Sequence, residues 1–163
     1  MVTPRWYAVP EPADRLAAER ACLAMLDIVR PRCGSILIDA YGDYRDSLDP
    51  RAAAAQRSLR ERGAGRRSRV LHRPADPGMA IELDPTDETD WALLRDYAAW
   101  SIHVELSEGF TRETVAILHD CGDSVTGKLT ETRQRGSASR PAWRYCQCLG
   151  VAADCNPSVR ECD

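Results

Sequence analysis

The sequence predicts an α+β fold: an antiparallel sheet of about four to five strands with two or three helices packed on one face, followed by a loosely ordered C-terminal tail. Three observations predict it. Helical segments show apolar residues at three- and four-residue spacing, behind residues that cap or open a first turn. Short apolar or alternating runs bounded by turn residues lie between and after them, two in succession reading as a hairpin. From Arg133 onward the apolar period is lost while four cysteines appear. The chain therefore divides into an α+β domain over residues 1–132 and a Cys-rich tail over 133–163, which is expected to be poorly ordered.

The elements follow in order. Pro10, Pro12 and Asp14 open a helix to about Arg30, with Ala18, Cys22, Met25, Leu26 and Val29 along one face. Pro31 stops it, because the residue before proline avoids helical angles. Ser35 to Ile38 is a short apolar run ending at Asp39, a buried strand. Asp49-Pro50 opens an alanine-rich helix from Arg51 to Arg60, which Gly63-Ala64-Gly65 is expected to end. Ser68–Arg73 and Met79–Leu83 are strand candidates around the turn-rich Pro74–Gly78. The acidic stretch from Asp84 to Asp90 suits a helix N-terminus, and that helix runs to Trp100. Ile102–Leu106 alternates as a half-buried strand, Thr114–His119 returns antiparallel to it, and Val125–Leu129 adds another strand. The expected core joins Leu26, Ile36, Ile38, Leu94, Val104, Val115 and Ile117.

Composition bounds the function. The 163 residues are 44 % hydrophobic and 29 % charged, which is globular rather than disordered. The net charge of −3 does not indicate nucleic acid as a partner. Lysine occurs once, at Lys128, against many arginines, the coding bias of a GC-rich, bacterial genome. No run of 18 apolar residues exists and the N-terminus lacks an apolar signal core, so a cytoplasmic location with no membrane partner is expected. The seven cysteines are then reduced thiols or metal ligands.

Four constellations bear on chemistry. Gly122-Asp123-Ser124-Val125-Thr126-Gly127-Lys128 matches the spacing of a phosphate-binding loop, but Leu129 stands where a magnesium-binding hydroxyl is required and Asp123 puts negative charge in the cradle. The competing reading is a turn between two strands. Asp39 closes a strand and is followed by Asp43, Asp46 and Asp49; with Asp120 or Glu82 it could bind magnesium, and the competing reading is a solvated face. Arg57, Arg60, Arg62, Arg66, Arg67, Arg69 and Arg73 fall within seventeen residues around two glycines, a basic surface without interleaved aromatics for base stacking. Cys146, Cys148, Cys155 and Cys162 supply four thiolates for zinc but not in paired C-x2-C knuckles. His72, His103 and His119 are isolated in sequence. In His119-Asp120-Cys121, neighbours on a strand face opposite ways and cannot act together; Cys121 or Cys33 with a distant histidine is the remaining nucleophile arrangement.

The function these features favour is a small intracellular protein-interaction or regulatory module of adaptor, immunity or antitoxin type. It would bind another protein, an acidic one, through Arg60, Arg62, Arg66, Arg67, Arg69 and Arg73, aided by its acidic patch, and it needs no cofactor. The alternative is a magnesium-dependent phosphoryl-transfer enzyme of nuclease or phosphatase type, with Asp39, Asp43 and Asp120 as its catalytic carboxylates.

Overall fold

A computed structural model of the chain describes residues 4–41, 47–65, 76–109 and 111–129. They form six antiparallel strands in one open sheet with three α-helices. In chain order these are β1 (Arg5–Val9), α1 (Arg15–Val29), β2 (Cys33–Ile38), α2 (Pro50–Gly65), β3 (Ile81–Leu83), α3 (Glu88–Tyr97), β4 (His103–Glu108), β5 (Thr114–His119) and β6 (Ser124–Leu129). The spatial strand order is β1-β6-β5-β4-β2-β3, so β1 and β3 are the edges.

Each helix starts on an aspartate. Asp14 accepts from the Ala17 amide, Asp49 from the amides of Arg51 and Ala52, and Asp87 from those of Thr89 and Asp90, satisfying donors that have no partner in the first turn. Helix α1 lies over β5 and β6, while α2 and α3 pack on each other and on β3. Ala21, Cys22, Met25, Leu26 and Val29 of α1, Leu59 of α2 and Trp91, Leu94 and Tyr97 of α3 close one continuous core against Ile36, Ile38, Ile81, Leu83, Val104, Leu106, Leu118 and Val125 of the sheet. Burying each of the larger side chains contributes about 1.5–3 kcal/mol.

The structure departs from the sequence expectations in two places, strand β1 and Ile117. The sixth strand is β1, which escaped notice because Trp6, Tyr7 and Ala8 are all exposed and so carry no buried alternation. Helix α2 ends at Gly65, within the Gly63-Ala64-Gly65 stretch expected to end it. Gly63 serves a close approach, since a Cβ there would stand 1.8 Å from the Pro77 carbonyl oxygen. Ile117 is not in the core. The β4–β5 register runs Leu106↔Ala116 and then Ser107↔Thr114, which leaves Val115 as an extra residue on β5. Such a bulge shifts the alternation by one. Val115, Ala116 and Leu118 are buried and Ile117 turns to the opposite face. The strand candidate at 68–73 lies outside the described residues, as do residues 130–163 and with them the predicted domain boundary.

Candidate functional site

Among the described residues the helices pack on one face of the sheet and leave the other helix-free, and strand periodicity decides what stands on that second face. Val104 and Leu106 point to the core, so His103, Glu105 and Ser107 of β4 point away from it. Register then lines up their neighbours. Glu82, Leu37, Glu105, Ile117, Thr126 and Ala8 form one row across β3, β2, β4, β5, β6 and β1; His103, His119 and Ser124 form a second. All are half-buried or exposed.

Two hydrogen-bonded sets lie next to one another among these side chains. The Thr114 hydroxyl donates to Glu105 Oε1 at 2.6 Å, and the Ser107 hydroxyl approaches the same oxygen at 3.4 Å. Glu105 Oε2 lies 3.9 Å from His103 Nε2. On its other side, His103 presents Nδ1 to Nδ1 of His119 at 3.3 Å, with ring centroids 4.6 Å apart. A carboxylate, two imidazoles and two hydroxyls thus sit side by side on rigid strands. The histidines looked isolated because sixteen residues separate them. The predicted hairpin was the signal that could have paired them, but only with its register known.

The β1 edge borders this face. Trp6 and Tyr7 are 48 % and 36 % exposed, and among the described residues β1 pairs with β6 alone. An unpaired strand edge offers a row of amides and carbonyls to another chain.

The predicted site residues are distributed differently. Arg60 donates to the Ala40 carbonyl at 3.0 Å and pairs with Asp76 at 3.1 Å. Arg62 pairs with Asp90, whose side chain is 7 % exposed and which also accepts from the Asp84 amide. Both arginines therefore tie α2 to its neighbours. Arg66, Arg67, Arg69 and Arg73 lie outside the described residues, as do Asp43 and Asp46 and the cysteines Cys146, Cys148, Cys155 and Cys162.

Asp39 and Asp120 do reach one end of the sheet, flanking the start of β4: the Asp39 amide donates to the His103 carbonyl and the Asp120 amide to that of Ile102. Their environments differ, however. Asp39 is 8 % exposed and its Oδ1 accepts from the Ala80 amide at 2.7 Å, whereas Asp120 is exposed. Among the described residues no group of three or more His, Cys, Asp or Glu could hold a metal ion.

The phosphate-loop spacing has a structural explanation. Gly122 turns the chain with φ of 88°, β6 follows instead of a helix, and Lys128 pairs with Glu113 at 2.9 Å. A Cβ on Gly127 would lie 2.4 Å from Met25 Sδ, so glycine here lets α1 lie close to β6.

Among the described residues, the cysteines Cys22, Cys33 and Cys121 are not activated nucleophiles. Burial pushes the Cys33 thiol up to about 11 and that of Cys22 up to about 12. Burial also raises Cys121, against the opposing pull of Arg15. Thiolate chemistry needs the opposite shift.

A cleft of about 70 Å³ between α1, α2 and the end of α3 is lined by Cys22, Arg51, Asp96 and Trp100 among others. Metabolite sites are several times larger, roughly 300–1,000 Å³. No helix among the described residues is long and apolar enough to cross a membrane. No protein-family model, curated protein or solved structure matches the chain.

Proposed function

We propose that this chain is a protein-interaction module, of the adaptor, immunity or antitoxin kind, that takes an extended segment of its partner onto the free edge of β1. The carrying observation is the exposure of Trp6 and Tyr7 on an edge strand. Main-chain hydrogen bonds along such an edge supply affinity, and aromatic side chains that supply large contact area at small entropic cost supply the anchor. The helix-free face next to it continues the surface with Ala8, Thr126, Ile117, Glu105 and the two histidines. An acidic partner suits the arginine-rich stretch 57–73, apart from Arg60 and Arg62, which pair with Asp76 and Asp90; such charge raises the rate of encounter more than the final affinity.

The test has two parts. A photo-crosslinking side chain at position 7 is expected to capture one partner that the same group at exposed position 27 on α1 does not. Trp6→Lys and Tyr7→Lys should then weaken binding of that partner at least tenfold while shifting the thermal midpoint little, since both residues lie outside the buried core. Equal capture from both positions, or affinity that survives both lysines and falls only in Arg66→Ala/Arg67→Ala/Arg69→Ala, would overturn the strand-edge reading.

A further inference from the structure

We propose that His103 and His119 together form a binding site for one divalent transition cation of the imidazole-preferring kind, Zn2+, Ni2+ or Cu2+. The inference stands apart from the interaction reading and rests on three features of the helix-free face.

The first is the bite. The two Nδ1 atoms face each other 3.3 Å apart. A zinc ion bound to two imidazole nitrogens at 2.0–2.1 Å with tetrahedral angles holds those nitrogens about 3.3–3.4 Å apart. That separation therefore also fits two imidazoles turned onto one shared metal ion.

The second is the orienting carboxylate. A metal-bound histidine commonly directs its other nitrogen to a carboxylate, which fixes the tautomer and makes the ligand more basic. Glu105 Oε2 lies 3.9 Å from His103 Nε2, and the Thr114 hydroxyl holds the other carboxylate oxygen at 2.6 Å. With the proton on Nε2, the Nδ1 atom beside His119 is the nitrogen left to bind a metal.

The third is the platform. His103 and His119 are register partners on the central strands β4 and β5, and the next pair along, Val104 and Leu118, is fully buried. The ligand atoms are therefore carried by the most firmly packed part of the sheet. Both rings are half-exposed, so water can complete the coordination sphere. With two protein ligands the site binds reversibly and leaves coordination positions open.

The experiment is calorimetric titration of the full chain with Ni2+ and Zn2+ after its accessible thiols have been alkylated, because cysteine would otherwise compete. One equivalent per chain is expected. His103→Gln and His119→Gln should each abolish it, and Glu105→Gln should keep the stoichiometry while weakening affinity tenfold or more. Absence of one-equivalent binding, or binding indifferent to both histidine variants, would overturn the proposal. A second measurement uses the unmodified protein: substoichiometric Cu2+ should broaden the ring-proton resonances of His103 and His119 before those of His72. Broadening of all three together, or of His72 first, sinks the idea equally.

Discussion

At the scale of single residues, the arginines show how a sequence cluster separates into different roles. Arg62 meets Asp90, a carboxylate almost fully removed from water, so removing the guanidinium leaves a buried acceptor short of a donor. Arg62→Ala is expected to cost about 1–3 kcal/mol in urea unfolding, the usual penalty for such a group. Arg57→Ala, exposed on the same helix, should stay within about 0.5 kcal/mol. The thiols make a prediction about pH. Cys22 and Cys33 titrate near 12 and 11 in the fold, against an ordinary value of 9.0. A raised folded pKa means that the unfolded chain loses its proton first. Stability is therefore fully present below about pH 9 and falls as pH rises through 9 towards 12. Urea midpoints measured across that window should decline, and less steeply in Cys22→Ala/Cys33→Ala. The same burial should make Cys22 inert to alkylation until the chain unfolds.

At the scale of elements, the contact between α1 and β6 depends on a residue that has no side chain. Gly127→Ala would drive a methyl group into Met25 Sδ, and overpacking of this kind costs about 1–3 kcal/mol. Met25→Ala should relieve much of that added cost, so the double variant is expected to show a favourable coupling in a thermodynamic cycle. An additive cycle would mean that α1 shifts away rather than Met25. The result also decides what Gly127 is for, since a phosphate-cradling glycine would show no coupling to a helix residue. On the other side of the sheet, the Val115 bulge is the element-level device that shapes the face. It brings Val115, Ala116 and Leu118 to the core and leaves His119 beside His103.

At the scale of the whole molecule, the core is closed by residues between Ala18 and Val125. The helices and strands of the described residues all lie before Thr130. Truncation after Thr132 is therefore expected to leave cooperative unfolding and a midpoint within a few degrees of the full chain. Loss of a single sharp transition would show that 133–163 contribute to folding. The sheet is also asymmetric. At one edge β3 is three residues long; at the other β1 is five and carries two exposed aromatics. Natural sheets protect such edges with charge, proline or a covering segment, and it is on this exposed aromatic edge that the proposed partner contact rests.

The sequence by itself determined most of the elements and the helical faces. Local signals were enough there: aspartate caps, the period of Ala18, Cys22, Met25 and Val29, and the Thr114–His119 run whose bounds match β5. It also carried the reason to doubt the phosphate loop, in Leu129 after Lys128. Only the tertiary structure decided the rest. Strand β1 gains its hydrogen bonds from β6, more than a hundred residues away, and its exposed side chains leave no local period to read. The assignment of Arg60 and Arg62 to Asp76 and Asp90 depends on how α2 lies against its neighbours. The meeting of His103, His119 and Glu105 depends on a register that one bulged residue sets. Local periodicity says which way a side chain points, but only long-range pairing says what it points at.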